Sequence, residues 1–441
     1  MSDDWSNPPP SERLAAWLHE QRWFGGKSRR ISGIEVADAV PLDPATLYLL
    51  RVTLDDGAAH RYAVPLSAGA APADAFDDPR FAERLVGLIA DGARVPGRAG
   101  VVSGHRTGAF PAAPGTGARR LEGEQSNTSV VIGDTLLLKL FRRVADGVNP
   151  ELELGRFLTE TARFAHTPAL GGWLEYGDAT LAVVQMVVRE ARDGWQWTLG
   201  ALASDARRAA AVPAFRRLGE VTAALHLALS RAATPALAVE PIAEDDVARW
   251  TAAVLSQASA ARAAAPGVEV DVSAVAVGDA LASLRSRAKC QHHGDFHLGQ
   301  TLYRDAGAAW TIIDFEGEPL RPVAERRQKH SPLRDVAGLL RSIAYAAETT
   351  RMTSAASWID RWESDARGAY LSGYMTTAVG APFLPERGDD VERVVAAFEV
   401  EKAAYEIVYE ANNRPAWTAI PARGLARANA ALASPRASGA A

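Results

Sequence analysis

The chain has 441 residues, enough for about two to four compact units with ample core. Its composition, 48% hydrophobic and 23% charged with a formal net charge of -5, excludes wholesale disorder, a fibrous repeat and a basic footprint for nucleic acid. A single cysteine, Cys290, excludes an internal disulfide and suits a reducing cytoplasm, where the protein is expected to reside. Of the 48 basic residues only five are lysine: Lys27, Lys139, Lys289, Lys329 and Lys402. Where arginine is the default, each lysine invites a chemical reason.

No membrane role is expected. The first ten residues are acidic and proline-rich, unlike a basic-then-apolar export signal. The apolar run Leu181 to Val188, interrupted by Gln185, is far short of the roughly 18 residues that span a bilayer.

In chain order, the first stretch (1–100) predicts a short helix, Glu12 to Gln21, then strands at Ile31 to Val40, Leu47 to Leu54 and His60 to Leu66. Asp55-Asp56-Gly57 supplies a hairpin turn between the last two. A loop, Ala68 to Asp78, leads to a helix over Phe81 to Ala90. The second stretch (101–190) predicts strands Ser129 to Ile132, Thr135 to Phe141 and Ala182 to Val188, the first two joined by a Gly133-Asp134 turn. Asn149-Pro150 is a helix start, with Asn as cap and Pro in the first turn. One turn before Phe157 on that helix, Glu153 can point toward the hairpin. The third stretch (191–441) is mostly helical, with alanine-rich runs Phe215 to Leu229, Asp245 to Ala264 and Val391 to Ala411. Two polar interruptions, Cys290 to Tyr303 and Trp310 to Glu318, are where a helical scaffold would place chemistry. The tail from Ala430 onward is expected to lack fixed structure.

Three constellations carry chemistry. His293-Gly294-Asp295 is followed by Gln300 and by Asp314 in Ile312-Ile313-Asp314-Phe315-Glu316. Phosphoryl transfer needs a carboxylate to take the proton of the attacking hydroxyl, and hard oxygen ligands for Mg²⁺. Asp295 suits the first task, Gln300 and Asp314 the second. A lone His-Gly-Asp is also an ordinary turn, and the pairing with Ile-Ile-Asp-Phe is what favours function. Zinc fits poorly, since no cysteine pair and no His-Glu-x-x-His occurs. Second, Lys139 lies among leucines on a strand, where an unpaired ammonium is costly, so it calls for a phosphate and a helix carboxylate, Glu153 or its rival Glu160, unless it is a plain sheet-edge lysine. The polar loop Glu124 to Ser129 just upstream could meet phosphates. Third, Lys402, Tyr405, Glu406 and Tyr409 fall at i, i+3, i+4 and i+7 on one helix face. That mixture suits a sugar, whose hydroxyls want charged partners and whose C–H face stacks on rings, although a solvated helix laced with ion pairs reads similarly. Lys289 and Lys329 read as surface charge.

The order of these motifs resembles the protein-kinase-like fold, in its aminoglycoside phosphotransferase branch. Trp23-Phe24-Gly25-Gly26-Lys27, Glu124 to Ser129, Asn149 to Glu153, the Asp295 segment, Ser331-Pro332-Leu333-Arg334-Asp335 and Asn412-Asn413-Arg414-Pro415-Ala416-Trp417 resemble actinobacterial maltokinases over nearly the whole chain. The resemblance implies an α+β, bilobal protein-kinase-like fold: an N-terminal cap subdomain (1–100), an intermediate subdomain (101–190) completing a mixed-sheet nucleotide-binding lobe, and a mostly helical lobe (191–441). It implies ATP and Mg²⁺ as cofactors and maltose 1-phosphate for α-glucan synthesis as product. Asp295 would be catalytic and Gln300 and Asp314 would hold metal. Lys139, Glu153, Ser126, Asn127, Thr128, Gln185 and Val187 would bind nucleotide. His293, Lys402, Tyr405, Glu406 and Tyr409 would bind sugar. The implied partners are maltose and trehalose synthase, with no nucleic acid, and a monomer is expected. The alternatives are a glucosamine kinase or related sugar kinase, or a noncatalytic pseudokinase partner of trehalose synthase.

Overall fold

The computed structural model describes residues 9–69, 71–121, 126–318, 321–354 and 356–434. The chain divides into two compact units, residues 1–189 with 319–326, and residues 190–318 with 327–441.

The first unit is built on two sheets whose described pairings are all antiparallel. The smaller runs Ile31–Leu42, Ala45–Leu54, Ala59–Ser67, Arg143–Val144 from edge to edge. The larger has seven strands, in the order Arg94–Pro96, Val101–Arg106, Leu170–Tyr176, Ala179–Met186, Leu136–Phe141, Asn127–Ile132 and Ala118–Arg120. Leu170–Tyr176 and Val101–Arg106 escape the sequence pattern, because Gly171, Gly172 and Gly104 interrupt any run of β-formers. Apolar residues of the larger sheet, among them Val130, Leu136, Leu138, Leu140 and Val184, pack with Phe81, Leu85 and Ile89 of the helix Pro79–Asp91 into one core. Phe141, Leu152, Leu170, Trp173 and Val183 form a separate cluster that seats the helix Pro150–Arg156. Alternation along the strands thus gives the central hairpin two different faces. The Asn149 side chain caps that helix by accepting from the Glu151 amide at 2.9 Å, as the Asn-Pro signal predicts.

One buried carboxylate joins the two sheets. Asp38 accepts hydrogen bonds from the Ala39, Arg98, Ala99 and Gly100 amides at 2.6–3.1 Å and from the Tyr176 hydroxyl at 2.6 Å. Burial pushes its pKa up, but the Tyr176 hydroxyl and the amides more than offset this and hold it below the ordinary value of 3.8.

The second unit is helical. Its long members are Asp205–Leu229, Glu244–Ala264, Leu333–Thr353, Ile359–Thr377 and Gly388–Asn413, followed by Ala419–Ala433. The last of these corrects the expectation for the tail: Ala430 to Ala433 are helical, and residues 435–441 lie outside the described residues. A short sheet, Arg192–Asp193, Thr301–Arg304 and Ala309–Ile312, lies among the helices. The Trp310 indole donates to the Ala214 carbonyl at 2.8 Å, which ties the strand leading to Asp314 to the helix Asp205–Leu229. Lys289 and Lys329 are not loose surface charge. Lys289 reaches Asp246 at 2.7 Å and Glu240 at 3.4 Å, and Lys329 also pairs with Glu240. Among the described residues, no helix is long and apolar enough to cross a membrane.

Replacing Asp38 with alanine should cost about 3 kcal/mol in urea unfolding, since five donors lose one charged acceptor. A depressed folded pKa contributes stability that is present above the unfolded value and lost as pH falls through the folded one. The variant's stability should therefore fall less steeply than the wild type's as pH drops below about 4; parallel curves would remove Asp38 from the acid response.

Candidate active site

In the first unit, Lys139 is buried on its strand, and its ammonium lies 3.6 Å from Glu151 Oε2. Gln185 donates through Nε2 to Glu151 Oε1 at 2.7 Å, closing a chain Gln185–Glu151–Lys139. The sequence expectation named Glu153 as the partner of Lys139; the structure adds Glu151 beside the ammonium. Glu151 is 1% exposed and shares the buried face of the helix with Leu154 and Leu158, whereas Glu153 is half-buried two residues along. The signal was present: Glu151, Leu154 and Leu158 stand at i, i+3 and i+7, and a carboxylate in the first turn is favoured by the helix dipole. The Val187 amide, expected at an adenine, donates to the Thr135 carbonyl at 2.8 Å, so an adenine would have to meet another main-chain group of this segment.

The residues expected at phosphates separate by face. Ser129 pairs with Lys139, Thr128 with Leu140 and Asn127 with Phe141, so Asn127 and Ser129 share the face of Lys139. Thr128 stands on the other face, and its Oγ1 accepts from Arg142 Nε at 2.8 Å. Ser126 is exposed, while Glu124 and Gln125 lie outside the described residues.

In the second unit the Asp295 segment is held from behind by Asp335, which is 3% exposed. The Asp335 carboxylate accepts from the His293 amide at 2.7 Å and the Gly294 amide at 3.0 Å, and lies 3.2 Å from His226 Nε2. Burial opposes its charge, but His292, His226 and His293 outweigh that and hold the carboxyl well below the usual range. Two glycines make the approach possible. Gly294 has φ +85°, a conformation other residues rarely adopt, and a Cβ at Gly338, one turn after Asp335, would stand 2.7 Å from the Phe296 carbonyl. His293 is not turned outward, as a sugar contact would require. Its Nε2–H donates to the Ile313 carbonyl at 2.9 Å, and its ring lies 5.1 Å from Phe296 and 5.0 Å from Phe315. A carbonyl can only accept, so Nε2 is the donor. His293 thus ties the Asp295 loop to the segment bearing Asp314.

Gln300 and Asp314 are brought together, with Nε2 donating to Asp314 Oδ2 at 2.8 Å. Asp314 has φ +66°, a strained backbone for a residue with a side chain and a recurrent mark of functional positions. One carboxylate oxygen each of Asp314 and Glu316 lie within 4.8 Å of one another. Two carboxylates and an amide form a hard-oxygen donor set that fits Mg²⁺.

The Gly388–Asn413 helix delivers the remaining residues. Lys402 Nζ lies 3.3 Å from Asp295 Oδ1 and 3.5 Å from Glu318 Oε1, with the Tyr405 ring 5.2 Å away. Burial pushes the ammonium pKa down, but Asp295, Glu318 and Glu406 more than offset it and raise it above the ordinary lysine value. Tyr405 is half-buried and Tyr409 is 48% exposed. Glu406 is held differently: Arg341, 1% exposed, donates to its Oε2 through Nε at 3.0 Å and Nη2 at 2.8 Å. Glu406 is therefore committed to the helix packing. Asp335 and Glu318 are the residues that sequence reasoning left without a role. Asp335 could have been suspected as an acidic residue on an otherwise apolar helix face, between Leu333, Val336 and Leu339.

Residues 17–95 match the family profile of the maltokinase N-terminal cap domain. The glucosamine kinase of Streptacidiphilus jiangxiensis is 28% identical over 366 residues, covering 77% of this chain and 79% of the relative. That of Mycolicibacterium smegmatis (strain ATCC 700084 / mc(2)155) is 29% identical over 327 residues, covering 69% and 78%. A solved glucosamine kinase in complex with glucosamine, ADP and inorganic phosphate superposes with a TM-score of 0.71 at 24% identity, over 95% of this chain and 99% of that one. That likeness carries the fold, which is α+β and protein-kinase-like with an N-terminal cap. Cap and relatives together fit a maltokinase-like kinase, a phosphotransferase.

Removing the Asp335 acceptor leaves the His293 and Gly294 amides and the buried His226 ring without their partner. Asp335→Ala should lower stability by about 3–5 kcal/mol and kcat by at least about tenfold. Urea unfolding and steady-state rates check this; a variant with wild-type kcat would show that the loop holds its shape without Asp335.

Proposed function

We propose that the protein is an ATP-dependent, Mg²⁺-requiring kinase that phosphorylates the anomeric hydroxyl of maltose. The observation that carries this reading is the Lys402–Asp295 pair, with Tyr405 and Tyr409 following on the same helix face.

Asp295 is the base. It orients the acceptor hydroxyl and takes its proton as the oxygen forms a bond to the γ-phosphorus and the bond to the ADP oxygen breaks. Lys402 stands 3.3 Å from Asp295 Oδ1 and offers a cation close to the reacting hydroxyl. Lys139, steadied by Glu151, meets the nucleotide phosphates. Gln300, Asp314 and Glu316 would hold Mg²⁺, which neutralises phosphate charge when bound.

The choice of a neutral sugar follows from charge. Lys402 stands against Asp295 and Glu318, and Arg341 against Glu406. An amino sugar brings an ammonium of its own, which would have to compete with Lys402 for those carboxylates. Tyr405 and Tyr409 lie about 6 Å apart along the axis, a spacing suited to the two rings of a disaccharide. The cap match points the same way. Glucosamine is the second reading, because the matched curated relatives are glucosamine kinases.

Purified protein given ATP, Mg²⁺ and maltose, glucose or glucosamine should show the highest kcat/KM with maltose, by at least tenfold. Preference for glucosamine would transfer the assignment to that sugar. Asp295→Asn should lose about 10²–10⁴-fold in kcat; full activity would remove Asp295 as base. Lys402→Ala should raise the maltose KM and narrow the margin over glucosamine, and an unchanged ratio would end the charge argument.

A further inference from the structure

The hairpin that carries Lys139 has a second face, and one cation is buried there. Arg142 is fully buried, at 0% exposure, three residues beyond Lys139 and so on the opposite side of the hairpin. Its Nε donates to Thr128 Oγ1 at 2.8 Å and its Nη2 to Asp74 Oδ2 at 2.5 Å. The guanidinium carbon lies 4.7 Å from the Trp23 ring centroid and 5.2 Å from that of Phe76. Nη1 is buried with no hydrogen-bond partner, so what that end of the group meets is ring face. Burial pushes the pKa down to about 10 while Asp74 opposes the fall, and the group stays charged at neutral pH.

Stability alone does not explain such a group. A buried ion pair is commonly no better than apolar side chains of the same volume, and what it supplies is a fixed geometry. The fixed partner here is Thr128, the second residue of its strand, where ladder pairing is weakest. Gripping Thr128 from behind sets where its neighbours Asn127 and Ser129 stand on the face of Lys139. Three of the other participants, Trp23, Asp74 and Phe76, belong to the segment matched to the maltokinase cap.

We propose that Arg142 is a positioning residue for the nucleotide, and that the cap acts in catalysis by seating Arg142 against Thr128 through Trp23, Phe76 and Asp74. The proposal rests on the reading of Lys139 as a phosphate contact.

The full-length protein is titrated with ADP by calorimetry, and KM is measured for ATP and for the acceptor. Thr128→Val keeps the shape and removes the acceptor for Arg142; Trp23→Leu removes a ring face from within the cap and is remote from the Lys139 face. Both should weaken ADP binding and raise the KM for ATP five- to twenty-fold, with the acceptor KM unchanged. The double variant should lose less than the product of the two single effects, because both act on one arginine. Thr128→Ser, which restores the hydroxyl, should recover wild-type affinity, and does so only if the effect is not general loss of packing. Wild-type ADP affinity in Trp23→Leu overturns the role of the cap, and failure of Thr128→Ser to rescue overturns that of the hydroxyl. If the wild type itself binds no ADP, the nucleotide reading fails instead, a result distinct from both.

Discussion

The Asp295 loop is irregular backbone with no ladder or helix to hold it, so its shape depends on one buried carboxylate. Asp335 accepts the amides of His293 and Gly294 from the first turn of the Leu333–Thr353 helix, and His226 supports it from the other side. An ionised carboxylate at this depth persists only because donors and imidazoles surround it. The same constraint reaches Asp314, since His293 passes it on to the Ile313 carbonyl. The Asp295 loop and the segment bearing Asp314 are thereby held by a single polar network that starts from the Leu333–Thr353 helix.

The first unit uses a similar economy on a single hairpin. One face presents Lys139, with Glu151 and Gln185 fixing its ammonium. The other buries Arg142 against Thr128, Asp74 and two aromatic rings. Because side chains alternate along a strand, these groups cannot interfere, yet a displacement of the strand moves both. Each buried cation has a buried carboxylate beside it, Glu151 for Lys139 and Asp74 for Arg142.

Much of this was legible in the chain. Asn149-Pro150 announced a helix and its cap; Gly133-Asp134 announced a hairpin; Lys402, Tyr405 and Tyr409 announced a helix face that is half-exposed and of mixed chemistry. Strands interrupted by glycine were not legible, because Leu170–Tyr176 is held by neighbours on both sides rather than by its own propensity. Glu151 beside Lys139 went unread, because only the way the helix lies on the sheet brings its carboxylate within 3.6 Å of the ammonium.

The sequence by itself determined which residue types stand near one another along the chain: a carboxylate, an amide and a second carboxylate within twenty residues, and a lysine with two tyrosines on one helical turn and the next. Local geometry follows from such spacing, since periodicity fixes faces. Tertiary structure decided which of these groups act outward and which are spent on holding others. Glu406 went to Arg341, His293 to a carbonyl, Thr128 to Arg142, and Lys402 to Asp295. Those pairings join residues up to 107 positions apart. A charged or polar group buried by packing takes whichever partner the fold brings within reach, and no local pattern records that partner.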